Sequence, residues 1–241
     1  LLKCHPWIRH SQLKHPESIH DEEWRTGWKS GDETLRNEGR FQLVCDIVIP
    51  LSPRLIFDLG CGNGYQAEKL KNVLPDTHIK GCDISSVAIE KASKIMDSCY
   101  VLDIDHNSLP ENSECYDLVL CIAVLEHLYN VQHALNEIYR ILKHGSHALI
   151  QVPNLSFWRF RLDLMRGNLP YILKDKRHLH SFNKNFLIHL LMEAGFRDFH
   201  IYGQRNRIKW LASLCPHIFS EDIFVIAKKP FSIPKVDNNS R

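Results

Sequence analysis

The sequence has no apolar run approaching the roughly 18 residues that a membrane-spanning helix needs, which excludes an embedded span as its organising feature. It also lacks any Cys-x-x-Cys pair. Its eight cysteines, at 4, 45, 61, 82, 99, 115, 121 and 215, are scattered, several within apolar runs such as Leu118-Val119-Leu120-Cys121-Ile122. That scatter argues against the closely paired ligands of a structural zinc site and is expected of reduced, buried thiols in a cytoplasmic protein. Neither charge sign dominates, with 30 Lys and Arg against 28 Asp and Glu, and the hydrophobic share of 44% is ordinary, so a disordered chain is excluded. The chain opens at Leu1 with neither Met nor the basic-then-apolar pattern of a signal peptide, as expected of a trimmed sequence. No glycine cluster ends in Gly-Lys-Ser/Thr, which excludes a phosphate loop of the NTPase kind.

What is present is an alternation. Strand-like runs at 54–59, 78–83, 99–103, 116–122, 148–152, 197–202 and 223–228 are interleaved with helical patterns. These include Tyr65 to Leu74, a helix capped by Ser85 or Ser86, an amphipathic run through Ala134, Leu135, Ile138, Ile141 and Leu142 with Gly145 as its stop, and Lys184–Ala194 stopped by Gly195. Alternation of this kind predicts an α/β fold: a Rossmann-like, seven-stranded, mostly parallel sheet with helices on both faces. Five segments are expected: an N-terminal helical extension over 1–50 with a helix from Glu33 to Ile49, a core over 51–153, an inserted lid over 154–182, the rest of the core over 183–229, and a flexible tail over 230–241. Histidines recur at 5, 10, 15 and 20, but a five-residue step advances about 140° on a helix, so they share no face and the pattern carries nothing. Trp24 and Trp28, four apart, fall on one helical face if that stretch is helical, where they either close a pocket or pack into the core.

The overall charge of +2 hides an asymmetry. Residues 154–210 carry eleven Lys or Arg against four Asp or Glu, and residues 1–153 are net acidic. A basic surface of this kind suits an anionic substrate, a membrane face or RNA, and an ordinary solvated face accounts for it equally. Within it, Phe157, Trp158, Phe160, Leu162, Leu164 and Met165 alternate with Arg159, Arg161 and Arg166, a pattern fit either for a lid over a pocket or for peripheral membrane contact through 157–166.

The first strand ends in Asp58-Leu59-Gly60-Cys61-Gly62-Asn63-Gly64, and a helix follows. Glycines there bring backbone N–H groups and a helix N-terminus close to a ligand at the carboxyl edge of a sheet, although a tight structural turn has the same sequence. Asp83 ends the second strand about 20 residues on, where a dinucleotide fold places its ribose-binding carboxylate. With Gly81-Cys82-Asp83-Ile84-Ser85 and Val124-Leu125-Glu126-His127-Leu128, the set resembles the signature of class I SAM-dependent methyltransferases of the type 11/23 kind, over about residues 40–228. The resemblance implies S-adenosylmethionine (SAM) as cofactor and S-adenosylhomocysteine as product. It implies Gly60, Cys61, Gly62, Asn63 and Gly64 around the methionine part, Asp58 beneath the loop, and Asp83 with Ile84 at the ribose. Asp103 and Ile104 would flank the adenine, and Cys121 would offer its backbone to the methionine moiety. The segment from Val152 to Leu164, with His178-Leu179-His180-Ser181-Phe182, is similar to the methionine-biosynthesis protein W branch, and the motif set also resembles the ubiquinone-biosynthesis O-methyltransferases.

A sulfonium methyl is already activated, so the chain has chiefly to align an acceptor and exclude water. If the acceptor is a hydroxyl, His178, His127 or His180 is the expected base, with His178 preferred. The relatives that place a divalent metal on Glu-x-x-Glu-His have their first Glu where Ala123 stands here, so no metal is expected. The expected function is methyl transfer to a small molecule, a metabolite, sugar or quinone-like hydroxyl, and the basic stretch suits an anionic one. The alternatives are an RNA methyltransferase and a non-catalytic partner in methionine synthesis.

Overall fold

A computed structural model of the chain describes residues 21, 22, 24, 25, 31–203 and 215–231. The histidine series at 5 to 20, Cys4, Trp28, most of the expected N-terminal extension up to residue 30, and the tail from 232 lie outside the described residues. Seven strands form one sheet in the order β3-β2-β1-β4-β5-β7-β6. They are β1 Leu55–Leu59, β2 His78–Asp83, β3 Ser98–Val101, β4 Tyr116–Ile122, β5 Leu142–Pro153, β6 Arg197–Gly203 and β7 Asp222–Lys228. β1 to β5 pair in parallel, while β7 runs antiparallel between β5 and β6. This is the expected mostly parallel, Rossmann-like architecture.

The central strands read as continuous apolar runs because both faces are covered. On one face Val119, Cys121, Ala148 and Ile150 pack beneath α4 (Val131–Ile141) and α6 (Lys184–Glu193). On the other, Leu118, Leu120 and Leu149 pack beneath α1 (Gly31–Val48), α2 (Tyr65–Val73) and α3 (Ser86–Ala92). α4 presents Val131, Ala134, Leu135, Ile138 and Ile141 at three- and four-residue steps, and the Asn130 side chain caps it by accepting from His133 N. A short helix, α7, follows at Pro216–Phe219. Among the described residues no helix is long and apolar enough to cross a membrane.

Most boundaries fall within a residue or two of expectation, and two of the differences have a visible cause. Gly145 does not stop α4; the helix ends at Ile141 and β5 starts at once at Leu142. Gly145 instead lies inside the strand at φ +82°, its N–H donating to Lys229 O at 2.8 Å and the Phe231 ring occupying the space a Cβ would need. The third strand stops at Val101, short of Asp103. There the Asp103 side chain accepts from Asp105 N at 3.0 Å while its carbonyl accepts from Asn107 N at 3.0 Å, a turn that competes with the ladder.

The segment after β5 carries α5 (Trp158–Met165) and a 3-10 turn at Tyr171–Leu173. Its two ends meet: Asn154 and Phe182 form an isolated parallel bridge, with Leu155 N donating to Phe182 O at 2.8 Å. Phe157, Phe160 and Ile172 make a small core of their own beneath it.

Candidate active site

The carboxyl ends of β1, β2 and β4 converge on one edge of the sheet. β1 passes into Gly60, Gly62 and Gly64, all with positive φ (+74°, +53° and +80°), so the chain doubles back before α2 begins. Gly60 N and Cys61 N both donate to Cys82 O, at 2.8 and 3.0 Å, which locks the loop to β2. A Cβ on Gly60 would run into the Val124 side chain, and one on Gly62 would sit 2.9 Å from Cζ2 of Trp24. The glycines therefore serve backbone conformation and close approach together.

Asp83 stands at the mouth of this loop. Its Oδ2 accepts from Gly62 N and its Oδ1 from Ser85 N, both at 2.9 Å. Two backbone donors thus fix the carboxylate at the end of β2, the place expected for a group that accepts ribose hydroxyls. Asp58, one strand over, is 3% exposed; burial, aided by the charge of Asp83, pushes its carboxyl up to about 8. Burial likewise pushes the Cys61, Cys82 and Cys121 thiols up, so these are neutral packing groups.

A cover lies over the loop that spacing alone left open. Asp21 accepts from Ser85 Oγ at 2.5 Å and Ser86 Oγ at 3.2 Å, at the N-terminus of α3. The Ser85 hydrogen bond, first among several, holds the Asp21 carboxyl below its usual range. Three residues on, the Trp24 indole rests on Gly62, while the Trp24 carbonyl accepts from Lys91 Nζ at 2.8 Å. Trp24 was legible as an aromatic without an assigned neighbour; Asp21 carried no signal, being one acid in an acidic run.

On the far side, the loop after β3 holds Asp103, which pairs with His106 Nδ1 at 2.8 Å, and the buried Ile104. Asp105 accepts from Tyr129 N at 3.1 Å and Asn130 N at 2.9 Å and so ties this loop to the start of α4.

β4 ends at Ile122, and Ala123 follows at φ +56°, a left-handed position a non-glycine residue takes only under constraint. The chain then makes a 3-10 turn, Leu125–His127. Because Val124 lies against Gly60, this turn borders the glycine loop. Glu126 is buried, and its carbonyl accepts from Leu179 N at 2.7 Å and His180 N at 3.2 Å, which pins the end of the 154–182 segment to the site. His127 and His178 meet edge to face, 5.0 Å between ring centres. His127 Nδ1 lies 3.2 Å from Arg177 O and His178 Nδ1 3.0 Å from Ile172 O. Carbonyls only accept, so each Nδ1 is the donor in these contacts, and His178 Nε2 faces Asp175 Oδ2 at 3.8 Å. Ligand atoms of Glu126, His127 and His178 lie within 4.8 Å of one another, one carboxylate and two imidazoles, a set that can hold a cation. His178, already a candidate base, is 51 residues from His127, and its grouping with Glu126 and His127 is what spacing did not foretell. His180 is turned elsewhere, its ring 6.2 Å from that of Phe182.

Comparison with known proteins follows the same lines. The profile described as a methyltransferase domain matches residues 36–201. A tRNA U34 carboxymethyltransferase of Geobacter sp. (strain M21) is 24% identical over 156 residues, 63% of this chain and 44% of that protein. The mitochondrial ubiquinone biosynthesis O-methyltransferase of Rattus norvegicus is 30% identical over 113 residues, 44% of this chain and 32% of that protein. The chain spans about half the length, or less, of the curated relatives it matches. The crystal structure of a SAM-dependent methyltransferase from Archaeoglobus fulgidus superposes with a TM-score of 0.61 at 19% identity, covering 83% of this chain and 100% of that one.

Proposed function

Because the chain belongs to the methyltransferase-domain family and has the fold of its class I SAM-dependent members, we propose that it binds SAM over the Gly60 to Gly64 loop. We propose further that it transfers the methyl group to a hydroxyl of a small-molecule acceptor held beside His178. The observation that carries this is the loop itself: left-handed glycines with no room for a Cβ, and a fixed carboxylate, Asp83, at the mouth. In this reading Gly60, Cys61, Gly62, Asn63 and Gly64 line the methionine end, with Asp58 beneath and the Cys121 backbone beside it. Asp83 and Ile84 hold the ribose, and Asp103 and Ile104 flank the adenine. Bound SAM supplies an activated methyl and a neutral leaving group, and the chain supplies alignment.

Residues 51–153 and 183–229 act in this reading as one core, 154–182 as the lid that shapes the acceptor pocket, and the segment before residue 50 as its opposite wall. His178 Nε2 takes the proton of the acceptor hydroxyl, with His127 as the neighbour that holds its ring. The cofactor half is tested by calorimetric titration: SAM binds the folded wild type, and Asp83→Ala binds roughly ten to a hundred times more weakly through loss of charge-assisted hydrogen bonds. Absence of binding to the wild type removes the proposal at its root. For the chemistry, His178→Ala lowers kcat about a hundredfold while SAM affinity stays the same; equal turnover excludes His178 as the base.

One alternative has its own support. Relatives named as tRNA-modifying enzymes, together with the net-basic 154–210 stretch, favour an RNA acceptor. Salt-sensitive binding of tRNA, with methyl incorporation into it, selects that reading. The Glu126, His127 and His178 cluster raises a separate question of role, and we assign the two histidines to proton handling without a metal. Turnover unaffected by a chelator agrees with this; turnover lost with chelator and restored by one divalent cation reverses it.

A further inference from the structure

The 154–182 segment has an outer face that the methyl-transfer reading does not use. Between Trp158 and Lys176 every exposed charged side chain is a cation: Arg159, Arg161, Arg166, Lys174 and Lys176. The two acids of this stretch are half-buried, and Asp175 is held by Arg177 through Nε at 2.9 Å and a second guanidinium nitrogen at 2.6 Å. At the end of α5, Leu164, Met165 and Leu169 are 45%, 76% and 56% exposed, with Arg166 between them.

This apolar tip is not a loosely packed helix end. Asn168 N donates to Asp163 O at 2.8 Å and Gly167 N to Leu164 O at 3.0 Å, with Gly167 at φ +76°, so the α5 carboxyl end is closed by backbone hydrogen bonds. Beneath it, Phe157, Phe160 and Ile172 satisfy the inward side of the segment, and Tyr171 packs on Phe160 with ring centres 5.5 Å apart. The Tyr171 hydroxyl also reaches Glu221 Oε1 at 2.5 Å, which fastens the segment to the turn before β7. The outward aliphatic side chains are thus presented on a fixed platform, in a stretch whose exposed charges are all positive.

We propose that this face docks on an anionic lipid bilayer, with Leu164, Met165 and Leu169 entering the headgroup region and the surrounding cations meeting the lipid phosphates. Charge complementarity selects an anionic partner, and the aliphatic character of the tip selects lipid over single-stranded RNA, whose binders offer aromatic rings for base stacking. The docking does not depend on what the cofactor cleft binds.

The test is co-sedimentation of the full chain with vesicles of phosphatidylcholine alone and of phosphatidylcholine with about one third phosphatidylglycerol. Binding is expected to the anionic vesicles only and to weaken with added salt. Met165→Glu is expected to weaken it at least tenfold, and Arg161→Gln with Arg166→Gln about 25-fold, near fivefold per cation. These residues are exposed, so thermal melts of the variants should match the wild type; a second pair, Leu164→Ser and Leu169→Ser, replaces any variant that does not. Four results overturn the proposal. They are no binding to anionic vesicles, equal binding to neutral ones, variants that bind like wild type, or tip variants that abolish self-association or tRNA binding and leave vesicle binding intact.

Discussion

Asp58 sits in the sheet with its carboxyl raised from 3.8 to about 8 by burial, and secondarily by the charge of Asp83. The sign of the linkage follows from that order of values. The native state holds a proton that the unfolded chain gives up, so this residue's contribution to stability is complete below about pH 4 and is lost as pH rises through about 8. Asp58→Asn is therefore expected to flatten the decline in thermal stability between about pH 4 and pH 8, read by melting curves across that range. A cationic ligand placed over Asp58 favours its charged form, so SAM binding near pH 7 should release a proton and tighten as pH rises. Titration in two buffers of different ionisation enthalpy measures that release, and in Asp58→Asn it should vanish. At this scale the sequence was uneven. Asp58 and Asp83 were readable as acids at the carboxyl ends of strand-like runs, and the glycines as the turn that follows the first of them. Asp21 was not, because its partner Ser85 lies 64 residues away; His178 was named as a candidate base, but its contact with His127, 51 residues away, appears only in the folded chain.

Among the elements, strands and helices followed from periodicity, while the errors fell at turns. Gly145 reads as a helix stop because glycine ends helices, yet α4 runs straight into β5 and the glycine answers to Phe231 and Lys229, contacts from the other end of the chain. Asp103 reads as strand until its side chain bonds back to Asp105 N. The Asp21 to Arg25 stretch is the element whose role is most open to test. It is attached to α3 by hydroxyl hydrogen bonds to Asp21 and by Lys91, and it lays Trp24 on Gly62. A ligand on that loop must pass this cover. Trp24→Ala should speed SAM dissociation roughly tenfold, and Asp21→Ala should do the same in part by releasing the latch with the indole retained. Stopped-flow dissociation rates decide this, and equal rates in wild type and both variants exclude a gating role.

For the molecule as a whole, the sheet divides two apolar layers, and the first described helix is tied to the last strand. Arg40 of α1 reaches Asp222 at the start of β7, 3.4 Å away, with the carboxylate fully buried. Removing the partly buried cation beside a fully buried carboxylate costs more than breaking an exposed pair does, so Arg40→Met should lower stability by about 1–3 kcal/mol. For a chain of this size that is a fall in Tm of roughly 2–10 °C by differential scanning calorimetry. An unchanged melt indicates that α1 is held by its apolar face alone. The bridge between Asn154 and Phe182 has a consequence of another kind. Because the intervening stretch leaves and rejoins the body at one point, its length can change with little entropic penalty, about 0.6 kcal/mol for each doubling. Such a junction is a natural splice site, where one scaffold can exchange the segment between residues 154 and 182 over generations, or in the laboratory, while the sheet and its glycine loop stay as they are.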